Sequence, residues 1–171
     1  PLIAAGSQTT TFAGDYWKTH HLRVTTTEST GWNFTGTGCG ATGCSVLNSS
    51  ASANRVALGA SASSGTYMQI SACEMQSQLG YALYSSGSTC RIIDCWIHDS
   101  SQGVKTGNAN AWSMIGNLIE QCGSGIGDIG ASGGLTLVNN TIVHCGTGIL
   151  ASGAAVNLVA INNLIAYNKL G

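Results

Sequence analysis

Histidine and carboxylate side chains recur in the middle of the chain at intervals of about 22 residues. His98 and Glu120 are one interval apart, and Asp99 and His144 are two intervals apart. A carboxylate beside a histidine raises the imidazole pKa toward neutrality, which suits general acid–base catalysis. Lys105 follows His98 closely and adds a cation. If these intervals reflect a structural repeat, the five residues form one candidate catalytic cluster.

A non-catalytic interpretation of this cluster accounts for the same residues and is the one we favour. On an exposed strand they would be solvated side chains with one ion pair, which contributes only ~0–1 kcal/mol. No two acids occupy equivalent positions in successive repeats, and no Asp-rich calcium-binding pattern is present. The sequence therefore predicts neither a catalytic pair of acids nor a metal site, and no cofactor.

Trp96 is a candidate for ligand binding rather than for catalysis. It lies between Cys95 and Ile97, which the alternation of a strand would direct inward, so Trp96 would point outward. An exposed indole can stack on a sugar ring or fill a subunit interface. The alternative is that Trp96 only covers the surface of a neighbouring coil.

The chain has seven cysteines. Four of them form two pairs one interval apart, Cys73 with Cys95 and Cys122 with Cys145. Stacked Cβ atoms at the strand spacing are slightly too far apart for a disulfide, so we expect reduced, buried cysteines that pack as small apolar residues. Cys39 and Cys44 bracket a short turn-like segment, and a local disulfide between them is compatible with this spacing. The sequence contains no C-x-x-C pair of the kind that binds zinc.

These intervals belong to a repeat that runs through most of the chain. Equivalent segments begin at Met68, Cys90, Trp112, Leu135 and Leu158, with offsets of 22, 22, 23 and 23 residues. A second marker pairs glycine with a larger residue, at Gly80-Tyr81, Gly103-Val104, Gly125-Ile126 and Gly148-Ile149. Earlier units are less regular, with starts predicted at Cys44 and His21. A period of this size indicates stacked units whose neighbours complete one another's core.

Alternating apolar residues over four or five positions, separated by Gly, Ser, Ala, Asn and Thr, indicate short strands joined by turns. Each unit of about 22 residues is long enough for three such strands. The register predicts one inward column of asparagines, Asn117, Asn140 and Asn163, and one aliphatic column, Ile97, Ile119, Ile142 and Ile165. A buried amide must be paired, so the asparagines are expected to bond to one another and to turn backbone.

The segments Asn139-Asn140-Thr141-Ile142 and Asn162-Asn163-Leu164-Ile165, with the Gly-Ile pairs, resemble the right-handed parallel β-helix of the pectate-lyase-like superfamily. The resemblance covers residues 68–171 well and 21–67 loosely. It implies an all-β, single-domain solenoid of roughly six coils of 22–24 residues over 21–171. We expect residues 1–20 to form a lead-in strand or partial coil.

The composition argues against two kinds of partner, nucleic acid and a membrane. Only 8% of the residues are charged, the net charge is −1 and no basic run is present, which argues against nucleic acid. No stretch approaches the ~20 apolar residues of a membrane span. The sequence begins with Pro1 and shows no amphipathic cap at Asn168-Lys169-Leu170-Gly171. We therefore expect more chain, a partner subunit or a neighbour in an assembly to cover the ends.

Three functions remain open. The sequence favours a non-enzymatic structural or adhesive subunit of an extracellular or virion-surface assembly, because it is weakly similar to phage tail fibre, tailspike and capsid decoration β-helices. Such a subunit would form a homo-oligomer, as a trimer or an end-to-end stack, or a larger assembly. The resemblance also allows a polysaccharide lyase or glycoside hydrolase that uses His98, Asp99, Glu120, His144 and Lys105. The third possibility is a carbohydrate-binding module centred on Trp96.

Overall fold

The computed structural model describes residues 2–4, 10–27, 30–50, 56–60, 66–85, 88–107, 111–127, 134–151 and 157–170. These residues form strands and turns and contain no helix. Their 22 strands, numbered in chain order, lie in three sheets. All the strand pairs are parallel, and the chain visits the first, second and third sheet in turn. The predicted all-β parallel solenoid is confirmed.

The first sheet has eight strands: β1 (Leu2–Ala4), β4 (Arg23–Thr26), β7 (Ser45–Asn48), β10 (Glu74–Ser77), β13 (Trp96–His98), β16 (Leu118–Glu120), β19 (Thr141–Val143) and β22 (Leu164–Ala166). The second has seven: β2 (Thr10–Phe12), β5 (Thr30–Phe34), β8 (Val56–Ala60), β11 (Tyr81–Ser85), β14 (Gln102–Thr106), β17 (Ser124–Gly127) and β20 (Thr147–Ile149). The third also has seven: β3 (Lys18–His20), β6 (Cys39–Thr42), β9 (Thr66–Ser71), β12 (Ser88–Ile93), β15 (Ala111–Ile115), β18 (Gly134–Val138) and β21 (Asn157–Ile161).

The number of coils differs slightly from the predicted six, because the first twenty residues contribute strands to all three sheets. Strands β1, β2 and β3 pair in parallel with β4, β5 and β6. Residues 1–20, expected to form a lead-in strand or partial coil, therefore supply a set of three strands that stacks on the next coil.

A recurring two-residue motif, such as Asn139-Asn140 or Asn162-Asn163, forms the corner between the third and first sheets. The first residue of each motif has a left-handed backbone, with φ between 49° and 68° at Ala72, Asp94, Gly116, Asn139 and Asn162. Gly, Asn and Asp adopt this conformation most readily, which accounts for their recurrence there. The residue that follows points into the core and forms the ladder.

The structure places Asn117, Asn140 and Asn163 in one column. The Asn117 backbone N–H and its side-chain amide both donate to Asn140 Oδ1, at 3.0 and 2.8 Å. Asn140 makes the same pair of bonds to Asn163 Oδ1, at 2.9 and 3.0 Å. The aliphatic column, Ile97, Ile119, Ile142 and Ile165, lies two residues further on and is in register across β13, β16, β19 and β22.

The predicted phase of the repeat is wrong in two places. Ser45 pairs with Glu74, so this coil is 29 residues long, since 74 − 45 = 29. Met68 consequently lies beside Cys39 rather than Cys44. The Gly80-Tyr81 marker is also displaced, because Tyr81 pairs with Gln102. The longer coil includes residues 51–55 and 61–65, which are outside the described residues, and a uniform period cannot register such an insertion.

All seven cysteines are free and buried. The disulfide considered between Cys39 and Cys44 is not formed. Cys39 begins the extended strand β6 and Cys44 lies two residues beyond its end, so at ~3.3 Å per strand residue their Cα atoms are farther apart than a disulfide can span. Cys39 Sγ lies 3.4 Å from Gly14 O, whereas Cys44 Sγ lies 3.3 Å from Thr42 O.

Candidate functional site

The outer face of the first sheet carries a compact polar and aromatic cluster on β13. Strand alternation directs Ile97 into the core and Trp96 and His98 to the outside. The Trp96 indole stacks on the His98 imidazole, with ring centroids 3.9 Å apart and planes inclined by 22°. Trp96 is 43% exposed, whereas His98 is 6% exposed. The indole therefore presents a ring to solvent while it covers the histidine.

Two carboxylates hold the covered histidine. His98 Nδ1 lies 2.8 Å from Asp99 Oδ2, and His98 Nε2 lies 3.3 Å from Glu74 Oε1. The second oxygen of Glu74 accepts a 2.6 Å hydrogen bond from Ser45 Oγ on the preceding coil. Asp99 has a left-handed backbone with φ 46°, which turns the chain at the end of β13. Both imidazole nitrogens are thus engaged, and the ring is fixed.

Glu120 belongs to the cluster through the tryptophan and not through the histidine. His98 and Glu120 are paired positions of β13 and β16, as the repeat predicts. The Glu120 side chain, however, accepts a 2.8 Å hydrogen bond from Trp96 Nε1. The His98–Glu120 acid–base pair considered from the sequence is not formed, because the partners of the imidazole are Glu74 and Asp99.

The other two members of the predicted cluster lie elsewhere. His144 stacks on Tyr167, with centroids 5.5 Å apart, at the corner where the first sheet leads into the second. Lys105 is on the second sheet, where its Nζ lies 4.6 Å from the Tyr81 ring centroid and 3.2 Å from the Tyr81 hydroxyl. The structure therefore joins His98, Asp99 and Glu120 through Trp96, whereas His144 contacts Tyr167 and Lys105 contacts Tyr81.

Sequence reasoning missed Glu74 and Ser45. The repeat places Glu74 beside Trp96, which the structure bears out. Its contact with His98 is diagonal across the two strands, and a comparison of equivalent positions cannot reveal a diagonal pair. Ser45 lies on the coil before Glu74, and the 29-residue coil between them is longer than the regular period predicts.

Two shallow depressions follow the corner between the first and second sheets. Gln76, Asp99 and Gln121 line one of them, beside the cluster. Gln121, His144 and Tyr167 line the other. Both depressions border Gln121; the first offers amide and carboxylate side chains to a polar ligand, and the second adds the aromatic rings of His144 and Tyr167.

A family model described as the right-handed β-helix region matches residues 24–171. The chain belongs to the right-handed parallel β-helix family. Comparisons with curated proteins and with solved structures found no match. The match covers the fold and the ladders, and it says nothing of a reaction, because function on a shared fold resides in particular sites.

Neither a metal cluster nor a membrane helix is present in the described part of the chain. Within those residues no group of three or more His, Cys, Asp or Glu side chains is arranged to hold a metal ion. The same residues contain no helix of the length and apolarity needed to cross a bilayer.

Proposed function

We propose that the protein is a non-enzymatic structural or adhesive subunit of an extracellular or virion-surface assembly, and that it contacts glycans through the outer face of the first sheet. The single observation that carries the proposal is the fixed indole of Trp96. Sugar-binding surfaces combine an exposed aromatic ring with a few oriented polar groups.

The indole is held from two directions. Its ring rests on His98 and its Nε1 donates to Glu120. A ring that is already ordered loses little rotamer entropy when a ligand stacks on it, which favours affinity. Asp99 and Gln76 lie at the edge of the adjacent depression and supply acceptors and donors for sugar hydroxyls.

The burial of His98 favours binding over catalysis. A general acid or base must come within hydrogen-bond reach of the proton that it transfers. Trp96 covers one face of the imidazole, and Asp99 and Glu74 occupy both nitrogens. This histidine is better suited to supporting the tryptophan than to meeting a substrate.

Glycan binding is tested by a glycan array followed by calorimetry with the sugars that bind. Trp96→Ala removes the platform, and we expect affinity to fall at least tenfold, by analogy with the ~1–3 kcal/mol that an aromatic side chain contributes by stacking on a nucleic-acid base. Tyr67→Ala is the matched control, because Tyr67 is an exposed aromatic on a different sheet. Equal binding by both variants would refute the assignment of Trp96.

The assembly is tested separately by analytical ultracentrifugation and electron microscopy of the purified chain. We expect a homo-oligomer, either a trimer or an end-to-end stack. The proposal rests here on the regular coils and on the low content of charge, 8%. A protein that stays monomeric at high concentration would favour the carbohydrate-binding module instead.

A polysaccharide lyase or hydrolase is the second candidate, and one observation favours it. Three carboxylates, those of Glu74, Asp99 and Glu120, surround the stacked Trp96 and His98. Release of reducing ends or unsaturated products from acidic polysaccharides would reveal such an activity. Its loss in His98→Gln and Glu120→Gln, with folding retained, would assign the reaction to this cluster and displace the adhesive proposal.

A further inference from the structure

Two cysteines lie one above the other at the corner between the first and second sheets. Cys122 and Cys145 follow Gln121 and His144, which both have left-handed backbones. The residue after Cys145 bonds to the preceding coil: the Gly146 backbone N–H donates to Cys122 O at 2.9 Å. The two thiols point inward and are 3% and 2% exposed.

Each of these thiols is held in the same way. Cys122 Sγ donates to Glu120 O at 3.3 Å, and Cys145 Sγ donates to Val143 O at 3.4 Å. In both cases the acceptor is the carbonyl two residues earlier. The side chains therefore take equivalent orientations on adjacent coils.

The coil spacing suits a bridging ion better than a disulfide. Stacked coils are ~4.8 Å apart, whereas the Cβ atoms of a disulfide are only ~3.8 Å apart. Two thiolates on opposite sides of an ion, each at ~2.3 Å, would place their sulfur atoms about 4.6 Å apart. A linear S–metal–S unit thus fits between the coils without drawing them together.

Both cysteines would bind the ion as thiolates, so binding displaces the proton of each thiol.

A route to the thiols exists at the surface. Cys122 and Cys145 line the second of the two corner depressions, together with His144 and Lys169. The Lys169 cation offsets the negative charge that two thiolates leave on a monovalent ion. The described residues provide no third ligand, which disfavours zinc, since zinc in structural sites takes four. Soft thiolate donors select Cu(I), zinc and iron–sulfur clusters, and the last two are held by four ligands.

We propose that Cys122 and Cys145 form a two-coordinate site for a soft monovalent ion of the Cu(I) or Ag(I) type. Binding converts two thiols and one cation into a dithiolate complex with a single negative charge and releases two protons. No oxidation or reduction is involved. The site staples two coils that are otherwise joined by backbone hydrogen bonds and packing.

Titration of the reduced, full chain with Cu(I) against a chromogenic copper chelator, without oxygen, tests the proposal. We expect one tight equivalent that weakens at least ~100-fold in both Cys122→Ser and Cys145→Ser, as loss of one of two ligands requires. Serine is tolerated in this column, because Ser100 lies one coil earlier and its Oγ donates to His98 O at 2.8 Å. Cys90→Ser, which changes a buried thiol elsewhere, is the control and should bind as the parent does.

Proton release gives a second readout that folding defects do not imitate. A pH indicator should report about two protons released per ion bound, because both ligands bind as thiolates. The proposal is overturned if the tight equivalent survives in either serine variant, if only one of the two cysteines matters, or if Cys90→Ser abolishes binding.

Discussion

Replacement of Asn140 by alanine tests whether the asparagine column holds the solenoid together. The Asn140 side chain makes four hydrogen bonds. Its Oδ1 accepts from Asn117 N and Asn117 Nδ2, and its Nδ2 donates to Met114 O at 2.9 Å and to Asn163 Oδ1 at 3.0 Å. The residue is 1% exposed, so water cannot take over these bonds.

The expected loss in the free energy of unfolding is about 4 kcal/mol. Four bonds with net contributions of ~0.5–1.5 kcal/mol each give roughly 2–6 kcal/mol. The value should lie near the middle of this range. The Asn117 amide N–H loses its acceptor and stays buried, which costs ~1–3 kcal/mol, and the sum over four bonds already includes part of this cost. Urea unfolding followed by circular dichroism measures the change, with the slope m unchanged between parent and variant.

Asn163→Ala is the matched control. Asn163 occupies the same column in the last described coil and is half-buried. Its side chain makes three bonds, two accepted from Asn140 and one donated to Leu137 O at 3.0 Å. Water can replace part of these, so we expect a loss of only about 1–2 kcal/mol. Equal losses in both variants, or less than about 1 kcal/mol for Asn140→Ala, would refute the reasoning.

Three further predictions concern single positions. Ala72→Asn should raise stability by about 0.5–1 kcal/mol in urea unfolding, because Ala72 is exposed with φ 49° and asparagine tolerates that conformation better. Gly125→Ala should lower stability by about 1–3 kcal/mol, because the added Cβ would lie 2.7 Å from Gly148 O. Cys90 should resist alkylation at neutral pH, because it is buried and burial raises its pKa to about 12; peptide mass spectrometry of the treated protein reads the modification.

The sequence alone predicted the inward columns well where the coils have equal length. From Met68 onward the offsets are 22 or 23 residues, and equivalent residues such as Cys90 and Trp112 are paired in the structure. It failed between Ser45 and Glu74, because extra residues in one coil shift the phase without changing the pattern of the strands. A search for a fixed period assigns such an insertion to the wrong coil.

The outward side chains were harder to predict than the columns. A column is set by backbone register, which one period determines, whereas contacts on the outer face depend on side-chain rotamers. His98 could reach Glu120 in the next coil or Glu74 in the previous one, and the sequence does not rank these. The His98 imidazole stacks under the Trp96 indole and faces Glu74 and Asp99. Glu120 then accepts the hydrogen bond of the indole N–H.

The two faces of each strand therefore serve different ends. Inward residues at a corner must satisfy their own backbone, and Asn117, Cys122 and Cys145 all bond to neighbouring carbonyls or amides. Outward residues such as Trp96 do not pair the backbone in this way, so we expect the core to survive substitution there. A surface whose residues can vary on a rigid framework suits an adhesive protein. It also explains why the β-helix fold by itself does not identify a ligand. The cysteine pair is the exception, because there the frame itself offers a site.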